Sequence, residues 1–95
     1  MIQKSYIAVY PCISYIHAHY LDKKPIIIKH HAILRALERG IAYPDQVYYV
    51  LKNGKVHRFG KNLIKFIKRT DEGTIICIGE DIGTAIIIKT IERGN

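Results

Sequence analysis

The chain has 95 residues, of which 48% are hydrophobic and 24% are charged, and this balance predicts one folded domain over residues 1–95. The composition excludes a disordered tail, and no apolar run approaches the ~18 residues that a membrane-spanning helix needs. Fifteen Lys and Arg against eight Asp and Glu give a net charge of +7, which favours a polyanionic partner, nucleic acid first. We expect a cytoplasmic protein without membrane association, since the N-terminus also lacks the features of a signal peptide.

The first part of the chain is rich in Tyr and Ile, which favour strands. Residues 2–10 alternate loosely and predict a strand that ends at Pro11. Two interpretations fit residues 12–21: a strand, which we favour for its Tyr and Ile content, and a helix that begins at Pro11. A turn at residues 22–25 then leads to a short buried strand at residues 26–28.

The most informative stretch runs from residue 29 to residue 41 and has the periodicity of an amphipathic helix. At about 100° per residue, its apolar and polar side chains fall on two separate sides. The side predicted to face the core carries Ile33, Leu34, Leu37 and Ile41. The polar side carries His31, Arg35, Glu38 and Arg39, with the small residues Ala32 and Ala36 beside it. Gly40 then stands where a helix commonly ends, because glycine adopts the left-handed conformation without a steric penalty.

The polar side of this helix has the groups that metal-independent RNA cleavage requires. An imidazole such as His31 can act as a general acid or base, and paired arginines such as Arg35 and Arg39 can clamp a phosphate. RNA brings its own nucleophile, the 2′-hydroxyl. The opposing interpretation is an ordinary solvated helix face, in which the arginines pair with Glu38 and nearby carboxylates while His31 buttresses the helix start.

The remainder of the chain predicts one more helix and then only strands. The helix begins at Pro44, a residue favoured in the first turn, and ends at residues 53–54. Its predicted buried side carries Val47, Val50 and Leu51. The runs that predict strands, joined by short loops that indicate antiparallel pairing, are residues 55–59, 62–69, 74–78 and 84–91. We therefore predict an α+β fold, a two-helix hairpin packed on a twisted antiparallel β-sheet, with an extra N-terminal β segment.

A second candidate site is the segment from residue 52 to residue 69, which contains no acidic residue. Its basic residues, predicted to bind nucleic acid, are Lys52, Lys55, Arg58, Lys61, Lys65, Lys68 and Arg69. His57, Phe59 and Phe66 are interleaved with them, a pattern typical of a groove that follows a nucleic-acid backbone and stacks bases. The opposing interpretation is that Lys65 and Lys68 decorate opposite faces of an exposed strand and deter edge pairing, while Phe66 belongs to the core.

Other residues that could bind a metal or react give weaker signals. His17 and His19 would share one side of a strand, but no carboxylate or Cys at ligand spacing joins them, so we expect no metal and no cofactor. Cys12 and Cys77 each lie in an apolar stretch, which predicts buried free thiols.

The run from His31 to Ile41, with the pattern His-Ala-x-x-Arg-x-x-x-Arg-Gly-Ile, resembles domain-of-unknown-function family 4258. The second helix ending near Gly54 and the last strand with Thr90 resemble that family as well. The resemblance covers residues 26–92 as a toxin-like core and leaves residues 1–25 as an N-terminal extension. One departure is Lys29, where the family usually has Ser or Thr as a helix cap.

The family is similar in layout to the RelE/ParE and BrnT toxin superfamily. The resemblance implies a toxin-like RNA-binding protein that is a metal-independent endoribonuclease, with His31, Arg35 and Arg39 as catalytic residues. It also implies RNA as the partner, with DNA as the second choice, and an antitoxin-type protein partner. The alternative is a module without catalysis, either a basic nucleic-acid-binding protein or a structural homodimer.

Overall fold

The computed structural model describes the backbone of residues 14–21 and the full residues 24–94. In this part of the chain the elements are β1 (Ser14–Leu21), β2 (Lys24–Lys29), α1 (His30–Glu38), α2 (Asp45–Asn53), β3 (Lys55–Phe59), β4 (Leu63–Thr70), β5 (Gly73–Asp81) and β6 (Ile86–Gly94). The strands form one mixed sheet, and both helices pack on one of its faces. The predicted α+β class is therefore confirmed.

The strand order in the sheet is β1-β2-β6-β5-β4-β3. Strands β3 to β6 form the antiparallel meander that their short loops predict. The prediction of a wholly antiparallel sheet is wrong, because β2 pairs with β6 in parallel, with Ile26 opposite Ile86 and Ile28 opposite Ile88. Short loops predict pairing only between strands that follow one another, whereas both helices and three strands separate β2 from β6.

The N-terminal predictions are only partly covered by the described residues. The strand interpretation of residues 12–21 is confirmed over Ser14–Leu21, and the strand predicted at residues 26–28 is confirmed within the longer β2. The predicted strand at residues 2–10 and Cys12 lie outside the described residues, as do residues 22 and 23 of the turn predicted at residues 22–25. The second half of that predicted turn, Lys24 and Pro25, is already part of β2.

The core lies between the helices and the sheet. Helix α1 packs against β2 and β6, whereas α2 packs against β4 and β5. The predicted buried side of α2 is confirmed, as is the core position of Phe66. The largest fully buried side chains are mostly branched aliphatic ones and include Ile26, Ile28, Ile64, Ile75, Ile86, Ile88 and Ile91.

Helix α1 is rotated relative to the prediction. Leu34 and Leu37, predicted to face the core, are 44% and 54% exposed, so that part of the prediction is wrong. The buried side instead carries Ala32 and Ala36, both 0% exposed, together with Ile33. Small side chains let the helix backbone approach β6 closely, and this close packing outweighs the larger apolar area of the two leucines.

The end of α1 is fixed by the last strand. The helix ends at Glu38 with Arg39 as its C-cap, and Gly40 then adopts a left-handed conformation with φ of 71°, as expected. Arg93 of β6 donates its Nε proton to the Arg39 carbonyl at 2.7 Å, and its Nη2 donates to the Gly40 carbonyl at 3.1 Å. Its Nη1 donates to the Glu72 carbonyl at 3.0 Å, so one guanidinium joins the helix end to the turn between β4 and β5.

The rotation of α1 can be tested by two substitutions on neighbouring residues. Ala36→Leu should lower the free energy of unfolding by about 1–3 kcal/mol, because the added methyl groups overpack the contact with β6. Leu37→Ala should change it by less than about 0.5 kcal/mol, because Leu37 is largely in solvent. Urea denaturation of both variants measures the difference, and a larger loss for Leu37→Ala would contradict this packing.

Candidate nucleic-acid interface

Two residues of the predicted catalytic set, His31 and Arg35, lie on α1, and the third, Arg39, is the C-cap that directly follows it. His31, Arg35 and Arg39 follow one another at intervals of one helical turn, a rise of about 6 Å each. Arg35 Nε donates a hydrogen bond to His31 Nε2 at 3.3 Å. In this contact Nε2 is the acceptor, so its lone pair points to the guanidinium. The pair is exposed and presents a cation directly beside a proton acceptor.

Two residues of β6 extend this row. Arg39 Nε lies 2.7 Å from Glu92 Oε1, and the other oxygen of Glu92 accepts a hydrogen bond from Thr90 Oγ1 at 2.7 Å. We call the row of polar residues the α1 stripe, which comprises His31, Arg35, Glu38, Arg39, Thr90 and Glu92. Thr90, the threonine of the family resemblance, is thereby connected to the arginines. Sequence reasoning gave Glu92 no role in the site.

The junction between β2 and α1 explains why the stripe forms. Strand β2 passes directly into α1 at His30, just beyond the parallel pairing of Ile28 with Ile88. The helix therefore takes the place of a longer β2 strand beside the second half of β6. Thr90 and Glu92 lie on that half of β6, and as alternate residues of a strand they share a side.

The charges of the α1 stripe balance. Glu38 Oε1 lies 3.5 Å from Arg35 Nη1 and 3.8 Å from Arg39 Nη1, and Glu92 adds the second carboxylate. Two guanidinium groups therefore face two carboxylates. The Glu38 side chain is 63% exposed, and ion pairs at such exposure contribute little stability. A phosphate can therefore replace Glu38 as the partner of the arginines at small cost.

The structure divides the basic segment at residues 52–69 between the two faces of the sheet. The open face, defined as the face opposite the helices, carries Lys55 and Lys65. Lys68 lies on the helix side, where its Nζ is 5.7 Å from the centre of the Tyr49 ring. The remaining basic residues, all exposed, lie on α2, in the β3–β4 turn and near the end of β4, and are Lys52, Lys61 and Arg69.

Arg58, the seventh basic residue, takes part in a charge cluster that sequence reasoning did not find. Asp81 Oδ2 lies 2.8 Å from Lys24 Nζ and 2.9 Å from Arg58 Nη1, and its Oδ1 accepts the Gly83 amide proton at 2.9 Å. The cluster borders an open depression of about 600 Å³ that Lys61 also lines. Lys24 and Asp81 are 57 residues apart in sequence, so no local pattern indicates their contact.

Three hydrogen bonds control the ionisation of Asp81. The bond from Lys24, then those from the Gly83 amide and Arg58, hold the pKa of the Asp81 carboxyl well below its usual range. In contrast, burial raises the pKa of the Cys77 thiol to about 12, so Cys77 is the inert buried thiol that its apolar surroundings predict.

Neither a metal centre nor a membrane helix is found in the described part of the chain. Among its side chains, no three His, Cys, Asp or Glu residues come together as metal ligands. None of its helices has the length and apolarity needed to cross a membrane. His17 and His19 lie on β1, for which only the backbone is described.

Comparison with known proteins identifies no relative of this chain. No family model, no curated protein and no solved structure is significantly similar to this chain. The resemblance to family 4258 therefore stays a prediction that rests on the motif residues of α1 and on Thr90.

The Asp81 cluster predicts how stability changes with pH. Because the pKa of Asp81 is lower in the folded than in the unfolded chain, its carboxylate stabilises the fold above about pH 4. This contribution is lost as the pH falls below about 4 toward the folded pKa. Asp81→Asn should lower the Tm at pH 7 and make the loss of Tm between about pH 5 and pH 2 less steep than in wild type.

The partner variant Lys24→Gln provides the control for this prediction. It should remove part of the same pH-dependence, and the double variant should show little change beyond Asp81→Asn, because Asp81→Asn already removes the ion pair with Lys24. Thermal unfolding followed by circular dichroism at a series of pH values measures all three. Identical slopes in wild type and Asp81→Asn would contradict the role of Asp81.

Proposed function

We propose that this protein is a toxin-like RNA-binding protein and that its α1 stripe is a metal-independent RNA-cleaving centre. The observation that carries the proposal is the contact between Arg35 Nε and His31 Nε2 at 3.3 Å. It places an imidazole nitrogen that can accept a proton beside a guanidinium that can bind phosphate. The net charge of +7 and the motif resemblance to family 4258 support the same function.

The chemistry begins when an RNA phosphate displaces Glu38 from the arginines. Arg35 then turns toward the phosphate oxygens, and the lone pair of His31 Nε2 becomes available. This nitrogen accepts the proton of the 2′-hydroxyl, and the 2′ oxygen attacks the adjacent phosphorus. The 5′ oxygen leaves with a proton from solvent, and a 2′,3′-cyclic phosphate remains.

Arg39 has the second role in this scheme. Its ion pair with Glu92 at 2.7 Å holds the guanidinium at the border between α1 and the open face. The hydrogen bond from Thr90 Oγ1 fixes the Glu92 carboxylate in turn. This arrangement suits a group that stabilises the negative charge developing on the phosphorane, since a prepositioned donor needs no reorganisation during the reaction.

The charge balance of the stripe favours a second candidate, nucleic-acid binding without catalysis. Glu92 and Glu38 already neutralise the two arginines, whereas Lys55 and Lys65 have no carboxylate at ion-pair distance among the described residues. In this case the basic residues of the β3–β4 hairpin would hold the nucleic acid and the stripe would be structural. The exposed Leu34 and Leu37 favour the homodimeric form of this alternative, which sedimentation measurements distinguish.

An RNA-cleavage assay in the presence of EDTA tests the proposed function. His31→Ala should reduce the cleavage rate by about 100-fold or more, as expected for the loss of a general base, and Arg39→Ala should reduce it as well. His30→Ala is the matched control, because it removes an exposed imidazole that adjoins the stripe but is not part of it. Circular dichroism should show that all three variants keep the fold.

The outcomes separate the candidates. Cleavage that is unchanged in the double variant His31→Ala, Arg39→Ala would exclude this mechanism. Salt-dependent RNA binding without turnover would favour the alternative without catalysis. If neither RNA nor DNA binds at moderate salt, both nucleic-acid functions are excluded.

A further inference from the structure

We infer that the open face of the β3–β4 hairpin binds single-stranded RNA, with an unpaired base stacked on Phe59 and the backbone held by Lys55, His57 and Lys65. This inference rests on the proposed function for the identity of the ligand, but it concerns a different surface from the α1 stripe. We call this surface the β3–β4 patch, defined by Lys55, His57, Phe59, Leu63 and Lys65.

The register of the hairpin brings these side chains together. His57 lies opposite Lys65, and Phe59 lies opposite Leu63, so the four residues share one face of the sheet. Every residue of β3 is exposed, and Phe59 and Leu63 are each 39% exposed. Lys65 Nζ lies over the Phe59 ring, 5.3 Å from its centre, so the cation is held at the aromatic side chain.

The contrast between the two phenylalanines shows that Phe59 is not part of the core. Phe66 points to the helix side of β4 and is fully buried. Phe59 lies on the other face, in a strand that has β4 as its only sheet neighbour among the described strands. A base can therefore reach the Phe59 ring without any movement of the core.

The charge around the patch is positive. Within the described residues, no carboxylate lies at ion-pair distance from Lys55 or Lys65. Glu80, the acidic residue opposite Leu63 on β5, is 2.7 Å from Lys89 and so is already neutralised. A polyanion approaching the open face at this hairpin meets lysines without competing carboxylates.

The patch and the β6 residues of the α1 stripe lie on the same face of the sheet. His57, Lys65, Ile78 and Thr90 are successive cross-strand neighbours on β3, β4, β5 and β6. Three strand spacings of about 4.8 Å therefore separate His57 from Thr90, about 14 Å in all. A few nucleotides cover this distance, so one RNA strand can occupy the patch while its next phosphates reach the end of the stripe at Thr90.

These features select single-stranded RNA over a duplex. Bases in a duplex are stacked on each other, and only unpaired bases can stack on a protein ring. Lys55, His57 and Phe59 are alternate residues of β3, so they repeat every ~6.8 Å along the strand. This repeat suits an extended nucleotide chain, with the ring at one end and two basic groups along the backbone.

Fluorescence anisotropy with a labelled single-stranded RNA and a duplex of the same sequence tests the inference. Phe59→Ala should weaken binding of the single strand by about 5- to 150-fold, the range measured when a stacking aromatic is removed, and should leave duplex binding unchanged. Phe59→Tyr, which keeps the ring, should retain the wild-type affinity. Ile82→Ala is the control for loss of an exposed apolar side chain outside the patch, because Ile82 is 53% exposed.

Lys65→Gln provides a second measurement. It should reduce the slope of log affinity against log salt by about one, as expected for the loss of one phosphate contact. If Phe59→Ala binds the single strand as wild type does, or if it weakens single-strand and duplex binding equally, the stacking site does not exist. Equal weakening by Lys65→Gln of RNA and of poly-glutamate would show a general anion surface and would also overturn the inference.

Cleavage kinetics distinguish a failure here from a failure of the proposed function. Phe59→Ala should raise KM with kcat unchanged, because it removes binding energy remote from the reacting atoms, whereas His31→Ala should lower kcat. If Phe59→Ala has the wild-type KM while His31→Ala is inactive, the stacking site is excluded and the proposed RNA-cleaving centre at the α1 stripe is retained. Wild-type protein that binds no single-stranded RNA would overturn both.

Discussion

The parallel pairing of β2 with β6 is the constraint on which the rest of this structure depends. It brings β2, near the start of the described residues, beside the last strand, β6. The paired residues Ile26–Ile86 and Ile28–Ile88 are buried under the helices. Because β2 passes into α1 without a loop, the same pairing decides where the helix lies. The polar groups of α1 therefore meet the second half of β6, and the candidate site is a direct consequence of the sheet topology.

Close packing of α1 on β6 fixes which groups reach the site. The helix is held by alanines, whose small side chains allow a short distance between helix and strand, and Arg93 binds the carbonyls at the helix end. At this short distance Arg39 reaches Glu92 past the edge of β6. A helix seated on Leu34 and Leu37 would be rotated and would stand farther from the strand, because leucines need more space. The same packing that leaves two leucines in solvent thus places the guanidinium groups at the border of the open face.

Local sequence patterns are sufficient to predict most helices and strands, and to predict that His31, Arg35 and Arg39 lie in a row. Helix periodicity and strand alternation depend only on neighbouring residues. Phe66, Val47 and Val50 were correctly predicted in the core for this reason. The parallel β2–β6 pairing, the contact of Lys24 with Asp81 and the place of Glu92 beside Arg39 depend on residues far apart in sequence, and no local pattern carries that information. The rotation of α1 was missed for a different reason: hydrophobic periodicity weights leucine above alanine, although alanine allows the closer contact.

Under the proposed function, the balance of charges divides RNA affinity and chemistry between the two surfaces. A site whose arginines already face carboxylates binds phosphate weakly, because the incoming anion must replace Glu38 and compete with Glu92. The β3–β4 patch has no such competition, and the cross-strand row from His57 to Thr90 joins it to the stripe on one face. Under the proposed function, binding energy gained at the patch brings a phosphate to the stripe, where the carboxylates position the arginines. In the proposed mechanism, the carboxylates weaken ground-state binding at the stripe but keep its donors oriented, which favours the transition state over the bound substrate.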